Sequence, residues 1–591
     1  MYGHMYIRKY KITNPVYYMY SQWVHCSASS SIYVITMASL QAYQSHGIRY
    51  YRIVESFRKD GKPAIRVLAH LGRVDDILQR HQQNNQAQVK ISSVSAGAVT
   101  ALLRLAQEFD IAGRIDRAIA AEGEAQVRDG LTVGQSLLVA MIARACAPRS
   151  KRAFGDWAKT TYLPELIHFS ASDLTSQHFW DQMNALPVEK LADIEQQLVR
   201  EVVAVEQLHL QALAYDTTNF YTHIASTNLR TELPQRGHNK QGRHDLRQMG
   251  LALVVDQLTQ LPLAHALYQG ARSDMRTFAE FLKPVRQRLR DLIREPDQFT
   301  LVFDAGASSK QNLEGTEHYV TAVRPSNHRT VLSQAAEELI EVPLSNGAVV
   351  RAWRSQRIIA GKQREVVVVF SPQLHEGQLR GLHQSLEHSY REMEQIKPHS
   401  RFSVEAAKRK LEKICAPQYL RSLLGYKIDT DEHGATQVCL WSDWQEYQRL
   451  VTHYFGLRVL ITDRAEWSTA QIIEAYRGQA KAEAAFRDMK DPHMLSTRPQ
   501  FHWTDQKLHV HAFICVTAYL LITLLHWRAT QKGAYQGSSR RLLAELATIR
   551  YCRLIESTGR RGRPRVRMQI EEMDPILSKL AEALNAVPSS D

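Results

Sequence analysis

At 591 residues the chain is too long for one domain and suits about three or four, and a hydrophobic share of 44% supplies enough apolar material for packed cores. Lys and Arg number 74 against 60 acids, a formal charge of +14, which points to a polyanionic partner and to nucleic acid first. Six scattered cysteines without a CxxC pair argue against a disulfide framework or zinc ribbon and fit a reducing cytosol.

In chain order, the first 36 residues are rich in Tyr and Ser and lack sustained periodicity. Residues 1–47 are therefore expected to be disordered or a non-native leader, with Met37 as an alternative start. Residues 48–96 alternate apolar and polar around "KDGK", a turn between two strands, and then become linker-like in "RHQQNNQAQVK". Residues 97–207 carry helical periodicity broken by short turns such as "APRSKRA", and are expected to form a mainly helical DNA-binding domain.

At residue 208 the pattern changes. "LHLQALAYDTTNFY" predicts a strand running into a polar turn, and "QMGLALVVDQLTQLPLAHALYQG" a hairpin. "DMRTFAEFLKPVRQRLRDLI" predicts an amphipathic helix that Pro284 could kink, and "FTLVFDAGASSK" a strand ending at Asp304. The order strand, strand, strand, helix, strand is that at the start of an RNase H-like fold, expected as one domain in two parts, 208–325 and 456–530. Between them, 326–455 is expected to be an α/β insertion domain. The apolar run Ala512–Leu525 has only 14 residues, short for a bilayer span, and reads as a core helix. Residues 531–591 form a basic C-terminal segment with a helix.

Two acids stand out by setting: Asp216 and Asp304 each follow a strongly apolar strand. The first and fourth strands are neighbours in this topology, so the carboxylates could meet, and two such charges repel unless a cation neutralises them. Hard oxygen donors suit Mg²⁺. Glu483 could add a third carboxylate and complete a two-ion site for in-line displacement at phosphorus. Glu483 lies in "IIEAYRGQAKAEAAFRDMK", where Tyr476, Glu483 and Lys490 recur every seven residues and would share one face of a continuous helix. An ordinary solvated helix with a Glu483–Arg487 pair is the plainer reading of that segment alone.

Taken together, these segments resemble the DDE transposases of bacterial insertion sequences, in the superfamily named after insertion sequence four. Its signature is Tyr, two residues, Arg, three residues, Glu, six residues, Lys; here Tyr476, Glu483 and Lys490 fill three positions and Gln479 replaces the Arg. Arg477 is nearby but about 200° round the helix. "YDTTNFY", "YQGARSDMRTF", "DAGASSKQN", "GLRVLITD" and "RPQFHWTDQKLHVHAFICVTAYLL" extend the resemblance in the right order. It implies catalytic residues Asp216, Asp304 and Glu483, each a ligand of Mg²⁺ or Mn²⁺, with two ions. It also implies DNA as partner, a homodimer bridging two ends, no membrane, and a bacterial cytoplasmic, nucleoid-associated setting. Tyr476 and Lys490, with Arg477, are the expected DNA contacts of the helix.

Other candidates carry less. Asp256 is expected to be solvated in a hairpin turn, Asp274 to cap a helix, His509 and His511 to cap a core segment, and Cys515 to fill a core. "TGRRGRPRVRM" has five arginines and no acid, so Arg561, Arg563 and Arg565 are candidate minor-groove contacts, against the alternative of an unselective basic tail. Two other functions stay open: an RNase H-like nuclease without strand transfer, and a catalytically inactive DNA-binding descendant.

Overall fold

The computed structural model describes residues 38–59, 62–85, 89–120, 127–237, 242–272, 274–292, 299–394, 396, 403–430, 432, 436–497, 502–556 and 565–588. The chain divides into two compact units, one of residues 1–90 with 555–566 and one of 91–554 with 567–591.

In the first unit the strands Ala38–Ser45, Ile48–Lys59 and Lys62–Gly72 form an antiparallel sheet, followed by the helix Val74–Asn85. The described residues begin at Ala38, inside the expected leader, with strand; residues 1–37, and with them the choice of start codon, lie outside the described residues. The first half of "RHQQNNQAQVK" is helix rather than linker, because Arg and Gln are good helix formers once a turn is nucleated before them.

The second unit is built on a nine-stranded sheet and a long buried helix. The strands are β1 (Ala212–Thr222), β2 (Arg247–Asp256), β3 (Pro262–Gln269), β4 (Thr300–Phe303), β5 (Tyr319–Val323), β6 (Ile340–Pro343), β7 (Val349–Ile359), β8 (Lys362–Phe370) and β9 (Leu457–Thr462). Their spatial order is β6-β7-β8-β9-β5-β4-β1-β2-β3. β1, β2 and β3 are antiparallel, β1, β4 and β5 run parallel, and β9 joins β5 antiparallel. Segment 326–455 therefore extends this sheet with β6, β7 and β8, besides adding helices and a separate hairpin, Leu424–Thr430 with Thr436–Ser442. The β7–β8 turn is two residues, Ala360 and Gly361, both at positive φ (51° and 79°), the geometry that matches strand twist in a tight hairpin.

β1 does not give way to a turn after Asp216. It pairs with β2 from Leu213↔Asp256 to Thr222↔Arg247, so the polar "DTTN" is held as strand by its partner. Asp256 is buried at 2% exposure, not solvated. It accepts from the Thr259 amide (2.8 Å) and hydroxyl (2.7 Å), fixing the turn, and burial raises its carboxyl above the usual range.

The helices α1 (Val133–Cys146), α2 (Ser176–Asn184), α3 (Val188–Val205), α4 (Asp274–Leu292), α5 (Thr469–Arg477), α6 (Ala480–Lys490) and α7 (Asp505–Gln531) position the rest. α4 runs through Pro284 and begins at Asp274, whose side chain lies outside the described residues. The segment 97–207 is helical and packs around α7. α7 is long and apolar enough to cross a membrane, but 94% of its apolar window is buried inside the protein. Cys515 is fully buried in it, and His511 is a buried interior residue of the helix, not a cap.

Candidate active site

The register of two strands brings the first two acids together. β1 and β4 pair in parallel through Ala212↔Thr300, Leu213↔Leu301 and Ala214↔Val302. Two residues further along each chain stand Asp216 and Asp304. Side chains alternate across a strand, so these acids lie on the faces of Ala214 and Val302. Val302 packs with Ile472, Ile473 and Tyr476 of α5, whereas the intervening Tyr215 packs against Phe278 and Phe281 of α4. Both carboxylates therefore belong to the face covered by α5 and α6. Asp304 is exposed just past β4, where Phe303 ends the apolar run, and Asp216 is half-buried.

The helical segment over this face is not continuous. α5 ends at Arg477 and α6 starts at Ala480, so the expected seven-residue stripe is divided between two helices. Around the break the amides of Gln479, Lys481 and Ala482 bond to the carbonyls three residues back, at 3.1, 2.9 and 3.1 Å, a 3₁₀ tightening. The cause is local. Gln257, beyond the end of β2, donates from Nε2 to the Ala475 carbonyl at 2.9 Å. A Cβ on Gly478 would lie 2.0 Å from Gln257 Oε1, so a side chain there would have to displace the Gln257 amide. Gln479 is buried at 5% exposure and donates from Nε2 to the Tyr215 carbonyl at 2.7 Å, immediately before Asp216. The position at which the resemblance expected an Arg thus faces the sheet backbone. Spacing did not reveal these two glutamine contacts; the glycine inside a helical run was the available signal.

Across the break the groups still converge. The Tyr476 hydroxyl donates to Asp304 Oδ1 at 2.9 Å, and its ring lies under the Arg458 guanidinium at 5.3 Å. Burial raises the Tyr476 hydroxyl well above its ordinary value, and the charges of Asp304 and, to a smaller extent, Glu483 add to that, so both carboxylates bear on one phenol. Glu483 is exposed in the first turn of α6, and among the described residues no ion pair joins it to Arg487. Lys490 ends α6 with a hydrogen bond to the Thr218 hydroxyl and lies 5.2 Å from the Phe220 ring, both residues being on the Asp216 face of β1. Arg477 is exposed. Arg565 opens the strand Arg565–Ile570, its side chain undescribed, while Arg561 and Arg563 lie outside the described residues.

Among the described residues no three His, Cys, Asp or Glu side chains are gathered closely enough to hold a metal ion. The expected three-carboxylate cage is therefore not closed: like charges repel, and Tyr476 engages one oxygen of Asp304. In donor chemistry the set does fit a hard divalent cation, being carboxylates alone, two of them at equal register on adjacent strands.

A family model described as "Transposase DDE domain" matches residues 210–521, and one described as "IS1634 family transposase, N-terminal domain" matches 42–126. No curated protein matches the chain. A cryo-EM structure of a piggyBac transposase synaptic complex with hairpin DNA is a distant structural match, with 11% identity and a TM-score of 0.35 over 76% of this chain and 79% of that one. The DDE-domain match spans more than half of the sequence and contains Asp216, Asp304 and Glu483, and the chain belongs to the insertion-sequence DDE transposases.

Proposed function

We propose that this transposase binds the ends of its insertion sequence, cleaves phosphodiester bonds there and joins the resulting 3′-hydroxyls to target DNA, with Asp216, Asp304 and Glu483 as the catalytic acids. The observation that carries the reading is the parallel β1–β4 register, which sets Asp216 and Asp304 side by side under the helices bearing Tyr476 and Glu483. The β3-β2-β1-β4-β5 order of the central strands supports an RNase H-like catalytic core.

Asp216, Asp304 and Glu483 would hold Mg²⁺ or Mn²⁺, as a pair of ions, which when bound supply charge neutralisation at the attacking and leaving oxygens. The chain's own residues set the geometry. Tyr476 orients the Asp304 carboxylate through its hydroxyl, and Gln479 fixes the start of α6 against β1. Lys490, a compact charge beside the Asp216 strand, is suited to a DNA phosphate. The insertion-sequence-four superfamily, a homodimer across two ends and a nucleoid-associated cytoplasmic setting belong to the same proposal. Purified protein should cleave end-containing duplex and join it to a target in the presence of Mg²⁺. Cleavage without any joined product would favour a nuclease instead.

A further inference from the structure

Away from the three acids, the second unit draws four basic side chains together from two stretches of chain, 144–151 and 502–511. Arg144 lies near the end of α1, Lys151 in the turn after it, His502 just before α7 and His511 within α7. Lys151 Nζ is 3.2 Å from His502 Nε2 and 3.3 Å from His511 Nδ1, and the two imidazole rings are 4.6 Å apart. His511 Nε2 is 3.4 Å from the Thr497 carbonyl and 3.7 Å from Cys515 Sγ. Arg144, 8% exposed, donates from Nη1 to the carbonyls of Leu495 (3.4 Å) and Ser496 (3.1 Å), while its Nε is buried without an acceptor.

The charge balance of this cluster is one-sided. Burial, reinforced by Arg144, lowers the Lys151 ammonium to about 7, and burial with the same two cations pushes His502 and His511 well below the ordinary imidazole range. Among the described residues no carboxylate forms an ion pair with Arg144, Lys151, His502 or His511, and burial raises the neighbouring Cys515 thiol above its ordinary range. A buried guanidinium with an unmet N–H and no counter-charge is costly to keep. A tetrahedral oxyanion would remove that cost, because guanidinium, ammonium and imidazole N–H groups are its usual donors. Lys151 and His502 are each only partly buried, so part of each side chain meets solvent. The site is also tied to the catalytic helix: the Thr497 amide donates to the Met489 carbonyl at 2.9 Å, one residue before Lys490.

We infer that Arg144, Lys151 and His502, with His511 holding the Lys151 ammonium in place, form an anion site that takes one phosphate group, distinct from the three carboxylates. Its ligand is either a phosphodiester of bound DNA, which rests on the function proposed above, or free inorganic phosphate. Melting of the full-length protein in inorganic phosphate, against chloride at equal ionic strength, tests the shared chemistry. The wild type should show a phosphate-specific rise in Tm that Lys151→Gln and His502→Gln each abolish. DNA binding against salt distinguishes the sources. If a phosphodiester is the ligand, the log–log slope falls by about one in Lys151→Gln; an unchanged slope with the Tm effect present supports free phosphate. No phosphate-specific rise in the wild type, together with an unchanged slope in Lys151→Gln, overturns the site. The melting arm needs neither DNA nor catalysis, so a failed cleavage assay would refute the proposed function and leave this inference standing.

Discussion

Gln479 gives the residue scale its clearest case. Its amide reaches the Tyr215 carbonyl from a position that is 5% exposed, so removing it leaves a buried acceptor short of a donor. Gln479→Ala should cost about 1–3 kcal/mol of stability in denaturant unfolding. Gln479→Arg, which introduces the Arg of the resembled signature, should not strengthen DNA binding, because the slot faces the sheet; a measured gain in affinity would contradict that placement. Tyr476→Phe removes the hydroxyl that orients Asp304 and should lower the cleavage rate while leaving DNA affinity unchanged. Lys151 provides a pH test. Its ammonium is lowered to about 7 in the fold from an ordinary 10.5, so between those values the unfolded chain binds a proton that the folded chain does not. Stability from this group therefore rises with pH from about 7 towards 10, and Lys151→Met should flatten that rise in urea midpoints measured across the range.

At the scale of elements, the strands of the catalytic region were legible because buried apolar runs such as "LVF" and "GLRVLIT" are bounded by polar turns. Asp304 is readable for the same reason, as the first polar residue after β4. The extent of β1 was not, since "DTTN" has turn composition and only its pairing with β2 keeps it extended. The division between α5 and α6 was hidden too. It depends on Gln257, more than two hundred residues earlier, reaching the Ala475 carbonyl. Asp256 looked like a surface acid because sequence does not show that the turn folds over it. α7 is the element on which the second unit's packing depends. Leu521→Ala, at a fully buried position, should cost about 2–5 kcal/mol by chemical denaturation.

At the scale of the whole molecule, the resemblance in motif order located the catalytic region, and the family match over 210–521 agrees with it. Spacing alone could not show that segment 326–455 would continue the same sheet, because β8 pairs with β9 across nearly ninety residues. The net charge of +14 predicts that the logarithm of the affinity for nonspecific duplex falls linearly with the logarithm of salt concentration. The most direct test of the central claim is cleavage of end-containing DNA in Mg²⁺ by the wild type and by Glu483→Gln, with DNA binding measured alongside. The predicted result is binding retained and cleavage and joining lost in the variant. Full cleavage activity in Glu483→Gln would contradict the assignment of the catalytic site.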